Sequence, residues 1–298
     1  VMGGDRVNYG NGEHVGNLNL TIKGGIFNSQ IAGGMAYADP SIRGQVLLTG
    51  DINMTLAGGT FKSRIYGGCI STTNYSTRTA IEGDINIIVD SSENELIFAD
   101  NVYIVAGSYQ SGAIYGNVQV TFTGLGENLK MDADNLVWGG CSSDVYLIRG
   151  NTRTFQSTIS GTRTICFNDF TGEFNTGIRG FNIFTAENGS KLEILASNHL
   201  RDIEQWNLDW DTQLSGSFLN DFKGDTMNID LTGWDQTATD LFDCAAGTFT
   251  GFDAMKEATL GGETATYSDA ISGYVSTNYM LTLRDNQTMQ LSMNTTLA

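Results

Sequence analysis

Proline is almost absent from this chain of 298 residues, with Pro40 the single instance, and no apolar run reaches the roughly 18 residues of a membrane-spanning helix. Membrane insertion by this segment is therefore not expected. Cysteine and histidine are equally sparse. Cys69, Cys141, Cys166 and Cys244 lie far apart with no CxxC spacing, and the histidines are His14 and His199. A zinc site needs clustered thiolate or imidazole ligands, so free or buried thiols are expected and no metal site is assigned. Positive charge is short: 16 Lys plus Arg stand against 33 Asp plus Glu, a net charge of −17. A phosphate backbone or an anionic membrane is a poor partner for such a surface, so nucleic acid is excluded. GxSxG elbows, phosphate loops, dinucleotide fingerprints and nonapeptide calcium repeats are all missing. No catalytic or cofactor-binding residue is assigned, no cofactor is expected, and the chain reads as a non-enzyme. It opens at Val1 without an initiator Met or a signal peptide, which reads as a soluble mature chain or a piece of a longer one.

What is abundant is glycine, 37 residues of it, with Asn, Thr and Ser between aliphatics, a composition of short strands and polar turns. The glycines are periodic. Gly16, Gly50, Gly83, Gly116 and Gly150 open successive units at spacings of 34, 33, 33 and 34. After each of the first four comes an alternating strand: NLNLTI, DINMTL, DINIIV and NVQVTF. Alternation sends Leu18, Leu20 and Ile22 to one face and Asn19 and Thr21 to the other. Later in each unit a second motif recurs as IAGGM, IYGGC, IVAGS and LVWGGC.

One apolar-faced strand cannot bury its own face, whereas stacking like units about 4.8 Å apart gives every strand a partner and lines a continuous interior. The expectation is an all-β chain forming a right-handed parallel β-helix, a β-solenoid of about 33-residue coils with glycines at its corners, where φ is often positive. Helical repeats of similar length are rejected because the apolar period is 2, and propeller blades because they need roughly 40 or more residues. The alignment puts Met35, Cys69, Ser108 and Cys141 in one slot. Cys69 and Cys141 then lie two rungs apart, roughly 9.6 Å, beyond the roughly 7 Å reach of a disulfide. Tyr66 and Trp138 share a column with Ala32 and Val105, read as packing. MGGDRV near the amino terminus resembles AGGMAY and YGGCIS, as part of another coil.

Two regions are expected: a repeat region at 1–180, and an acidic β-rich region at 181–298 that continues or caps the solenoid, with a short helical turn around NHLRDI. The second region holds 17 Asp plus Glu against 5 Lys plus Arg, read as a solvated surface. A cap matters because a terminal coil exposes strand edges.

Many coiled β folds act on polysaccharides, so acid pairs deserve a search. Asp51 and Asp84 share the slot after the opening glycine, flanked by Asn17 and Asn117, and paired carboxylates there suit a cation or glycosidic chemistry. Asp and Asn after a corner glycine also satisfy turn amides, and that reading is preferred. His14 and His199 stand in no recognisable nucleophile and base setting. Six sequons, at Asn19, Asn53, Asn74, Asn188, Asn286 and Asn294, are what an Asn- and Thr-rich strand protein produces by chance.

The units GDINMTLAGGTFKSRIYGG and GNVQVTF…LVWGGC, with the later WNLDWDTQLSGSFLNDFKGDTMNIDLTGWD, resemble the repeats of bacterial autotransporter-like surface proteins and adhesins, from about Gly16 to Thr282. The resemblance implies a secreted β-helix at the cell surface with an adhesive or scaffolding role and no catalytic residues to transfer. The chain departs from that pattern in showing no outer-membrane barrel segment and no anchoring motif. Three functions follow as expectations. The first is an extracellular or cell-surface adhesin or structural rod whose side loops, AYADPSIRGQ and ISTTNYSTRTAIE, contact a host-surface or matrix glycan or protein. The second is a filament subunit joined to copies of itself head to tail through open coil ends. The third is a polysaccharide-active enzyme or phage tail spike.

Overall fold

The computed structural model describes residues 1–4, 6–7, 12–37, 46–71, 79–109, 112–141, 157–195, 200, 202–244 and 248–295. Gly150, Asn74, His199, half of NHLRDI and most of both side loops lie outside them. The chain divides into two compact units: Val1–Thr123, Asn128–Ile165 and Thr176–Phe181 form one, and Gly124–Glu127, Cys166–Asn175 and Asn182–Ala298 the other. Strands dominate both, and the helical segments among the described residues are three short 3-10 turns. None is long and apolar enough to cross a membrane.

In the first unit the repeat sets the register. Leu18 pairs with Ile52 and Ile52 with Ile85, and Ile22, Leu56 and Val89 line up at the far end of the same strands, all parallel. The inward residues of this row, from Ile52, Met54 and Leu56 to Val118, Val120 and Phe122, are fully or almost fully buried. The second motif forms its own row, Ile31 with Ile65, Ile104, Val137 and Ile178. Gly3 N–H donates to Ala32 O at 3.0 Å and Gly4 N–H to Gly34 O at 3.2 Å, so MGGDRV takes the place its likeness to AGGMAY assigns.

The opening glycines are needed for space. A Cβ on Gly50 would lie 2.1 Å from Gly16 O, on Gly83 2.3 Å from Gly50 O, and on Gly116 2.2 Å from Gly83 O. Only Gly16 among these has a positive φ, so the corner argument gives way to one of close approach between neighbouring rungs. The same geometry corrects the last spacing: Gly161, not Gly150, stacks on Gly116, with its Cβ position 2.4 Å from Gly116 O. Thr162 caps onto Asn117 across 45 residues, against 34 and 33 for the earlier rungs, so extra chain before the fifth unit shifted the period that the sequence suggested.

Met35 N–H reaches Cys69 Sγ at 3.4 Å and Cys69 N–H reaches Ser108 Oγ at 3.0 Å, so the shared slot is real. All four cysteines are buried, and none is in a disulfide. Tyr66, Tyr103, Val105 and Trp138 pack as one cluster.

The second unit follows another plan. Ile183 pairs with Gln205 and Gln205 with Thr226, again parallel, but with less chain between partners than in the first unit. Lys191 pairs with Thr171 on one side and Gln213 on the other. Strand Arg163–Phe174 joins both rows, and the antiparallel strands Glu263–Ser268, Gly273–Val275, Tyr279–Arg284 and Thr288–Met293 carry the sheet from Glu257–Leu260 round to Thr239–Asp243. The result is a closed ring of twelve strands.

This ring overturns the expected fold class. The chain is all-β and contains parallel sheets, but it holds a closed twelve-strand mixed β-barrel and is not a right-handed parallel β-helix. The physical reason lies in the turns after Leu260. Gly261 and Gly262, then Asp285 and Asn286, take positive φ, which reverses the chain into antiparallel hairpins instead of sending it round another parallel rung. Closure removes free edges, the liability a cap was expected to manage. The interior is aromatic: Trp206 packs against Phe184 at 4.6 Å and Phe222 at 4.7 Å between ring centroids, and its indole N–H donates to Lys223 O at 2.7 Å.

Candidate functional site

Asp51 and Asp84 were the sequence's candidate acid pair, and both prove to be turn acceptors. Asn17 Oδ1 accepts from Asp51 N–H at 2.9 Å, Asp51 Oδ1 from Asp84 N–H at 2.9 Å, and Asp84 Oδ1 from Asn117 N–H at 2.7 Å. Asn117 Oδ1 in turn accepts from Thr162 N–H at 2.9 Å. Each side chain caps the rung after it, which is the reading preferred from sequence. Further along the same strands, Asn86 Nδ2 donates to Asn53 Oδ1 at 3.0 Å and Asn53 Nδ2 to Asn19 Oδ1 at 3.1 Å. Two of the sequons, at Asn19 and Asn53, thus spend their amides in a ladder.

The Cys69 thiol offers little reactivity. Burial pushes the Cys69 thiol up to about 11, against the opposing hydrogen bond from Met35 N–H, so the nucleophilic thiolate is suppressed. His14 ends the short strand Gly12–His14, paired with Leu48. Among the described residues no group of three or more His, Cys, Asp or Glu side chains is arranged to hold a metal ion.

A concave polar surface does exist, in the second unit, where sequence reading assigned only solvated acid. Thr171, Lys191 and Gln213 stand in register across three parallel strands, and Glu173, Glu193, Ser215 and Asp243 across four. Between these rows run Leu192, Leu214 and Phe242, buried by alternation on the opposite face. The two polar rows line an open groove of about 500 Å³, with Leu241 and Asp240 at its far side. Asp240 Oδ1 accepts from Gln290 Nε2 at 2.8 Å, which ties that end to the last strand of the ring. Glu173 and Glu193 are both exposed neighbours in the ladder.

Chemically the groove presents acceptors, donors and one cation on a rigid parallel sheet. Carboxylates on adjacent strands start about 4.8 Å apart at the backbone. The signal for it was available as TGEF, KLEI and QLSG, three short segments that alternate polar with apolar or small residues and recur at short, unequal intervals. A search keyed to the longer period of the first unit passes over them.

A second acidic cluster lies at the turns of the other parallel row. Asp209 pairs in register with Asp230 and its Oδ2 accepts from Asn188 N–H at 2.8 Å, while Asp211 Oδ1 accepts from Gly189 N–H at 3.1 Å. Burial holds the Asp209 carboxyl above the ordinary range, with Asp211 and Asp230 adding repulsion against the Asn188 hydrogen bond. Asp230 is held below it by hydrogen bonds from Thr232. These carboxylates fasten turns, as Asp51 and Asp84 do.

No family model, curated protein or solved structure matches the chain.

Proposed function

We propose that this is a non-enzymatic extracellular or cell-surface binding module, an adhesin, that takes a host-surface or matrix glycan along the groove of Thr171, Glu173, Lys191, Glu193, Gln213 and Ser215. The observation that carries this reading is the pair of in-register polar rows on an open, rigid sheet face. Sugars are recognised by dense hydroxyl hydrogen bonding, and alternating acceptors and donors at strand spacing suit a repeating chain of them. Elsewhere the polar side chains of the repeats satisfy one another, in the Asn and Asp ladders, and leave few groups for a ligand.

Glycan-array binding by the purified chain tests this, with Glu193→Ala and Gln213→Ala as groove variants. Binding that falls at least about tenfold in the double variant supports the groove. Absence of any glycan binding, or binding indifferent to both changes, removes it. A second reading, polysaccharide cleavage, is favoured by one observation: Glu173 and Glu193 are direct ladder partners on adjacent strands, and retaining glycosidases use a pair of carboxyls roughly 5–5.5 Å apart. Release of reducing ends that stops in Glu173→Gln would establish it over adhesion.

A further inference from the structure

We propose that the groove read above as a glycan site continues past Gly172 into a seat for the N-acetyl group of an amino sugar, so that its ligand class is a neutral glycan carrying acetamido groups. The inference rests on that reading of the groove and adds the substituent it selects. Beyond strand Arg163–Phe174, on the side away from Lys191–Ile194, Leu125, Gly126 and Glu127 line a second cavity of about 570 Å³. Its other wall is Thr171, Gly172 and Glu173, and the same three residues line the groove itself. All of them belong to the second unit.

The junction is made of glycine backbone. A Cβ built on Gly172 would lie 3.0 Å from Gly126 Cα, and one built on Gly126 would lie 3.0 Å from Glu173 O. With no side chain at either position, nothing at Gly126 or Gly172 walls one cavity off from the other.

The far cavity differs from the groove in chemistry. The groove presents polar rows, Thr171 with Lys191 and Gln213, then Glu173 with Glu193 and Ser215, whereas the far wall carries the aliphatic Leu125, 39% exposed. Thr171 and Glu173 are both exposed, and among the described residues neither side chain has a hydrogen-bonding or ionic partner. An acetamido group presents an N–H donor, a C=O acceptor and a methyl. The Glu173 carboxylate takes the first, the Thr171 hydroxyl donates to the second, and Leu125 covers the third. A plain sugar hydroxyl in that place leaves Leu125 facing water. Charge narrows the class further. Glu127, Glu173, Glu193, Asp240 and Asp243 line the joined cavities against the single cation Lys191, so sulfated, phosphorylated or uronic glycans meet like charge and a neutral N-acetylated one does not.

Isothermal titration of the whole chain with oligomers of chitin and of cellulose, matched in length, tests this, because the two differ at each ring only by acetamido against hydroxyl. The expected result is binding of the chitin oligomer at least about tenfold tighter, a preference that Leu125→Asn abolishes while leaving affinity for the cellulose oligomer within about twofold. Leu125→Asn is an exposed change, so the fold is retained. Thr171→Val, which removes only the hydroxyl function, should reduce the same preference. Equal binding of the two oligomers, or a preference untouched by Leu125→Asn, overturns the seat, and if that binding still falls in the Glu193→Ala and Gln213→Ala double variant the groove reading survives without it. Binding of neither oligomer also overturns the seat, and a blank glycan array overturns the groove with it.

Discussion

The two units solve one problem, how to pair and cover short strands, by different means. The first repeats a parallel rung at a nearly constant interval, Leu18 to Ile52 to Ile85, and tolerates close backbone approach by omitting side chains at Gly50, Gly83, Gly116 and Gly161. Its inner column is mostly aliphatic, Ile52, Ile85 and Val118 among it. The second shortens the interval, Ile183 to Gln205 to Thr226, fills its interior with Phe167, Phe184, Trp206 and Phe222, and closes with antiparallel hairpins. Two of its glycines answer a different need: Gly233 and Gly262 have open space around them and positive φ, while Gly216 and Gly273 share the tight approach of the first unit. Close approach thus explains the opening glycines of the first unit, and chain reversal explains Gly233 and Gly262 of the second.

Trp206→Ala should give the largest effect. The ring is fully buried against Phe184, Phe218 and Phe222, and truncation leaves a cavity and an unpaired Lys223 carbonyl. A loss of roughly 3–5 kcal/mol is expected in urea unfolding. A loss under about 1 kcal/mol would mean that the aromatic interior does not hold the ring together.

Gly83→Ala sharpens the comparison of glycines. The new methyl would meet Gly50 O at 2.3 Å, Gly50 C at 2.4 Å and Asp51 N at 2.7 Å, all backbone of the neighbouring rung, so the rungs must part, at a cost of roughly 2–3 kcal/mol. Gly262→Ala meets no atom and pays only for its positive φ, about 1 kcal/mol. Equal losses in thermal melts of the two variants would erase the distinction drawn between the units.

Asn53→Ala should cost less. It breaks two amide bonds in the first unit's outer ladder, with Asn19 and Asn86, but both neighbours stay open enough for water to compensate, so about 1 kcal/mol is expected. The second unit uses the same device in Asn228 Nδ2 to Asn207 Oδ1 at 3.0 Å, and Asn207→Ala should match it. A null result in both would make the ladders decorative.

How much of this was legible depended on which constraint wrote the sequence. In the first unit each rung repeats the same steric demand, so Gly16 to Gly116, the Cys69 and Ser108 slot and the turn role of Asp51 and Asp84 could be read directly. The misplacement of Gly150 came from an insertion that kept a plausible spacing while moving the true opener to Gly161. In the second unit WNLD and MNID, which align Asn207 with Asn228, carried the shorter period, but so few copies at changing intervals leave little signal. Closure was harder still. It depends on Arg163–Phe174 pairing two strands at once and on a hairpin series returning to Thr239–Asp243, contacts between segments that share no motif. The groove shared that fate, because Glu173, Glu193 and Ser215 come together only through the ladder.

The smallest expected effect tests how acid is managed in the second unit, and its sign is diagnostic. Asp209 is raised chiefly by burial, so the folded chain takes up its proton before the unfolded chain does. Its contribution to stability is then fully present below the unfolded value, and is lost as pH rises through the higher folded one. Asp230, lowered by Thr232, behaves oppositely: its contribution is present above the unfolded value and is lost as pH falls through the folded one. Asn at position 209 mimics the protonated acid and keeps an oxygen for Asn188 N–H, so Asp209→Asn should raise the melting temperature at neutral pH and converge with the wild type near about pH 3. Asp230→Asn should lower it at neutral pH and converge only as pH falls through the lowered folded value. Thermal melts of both variants across that range read the two signs directly. Two variants shifting the same way would mean that register between Asp209 and Asp230, and not the separate surroundings of each carboxyl, governs the pair.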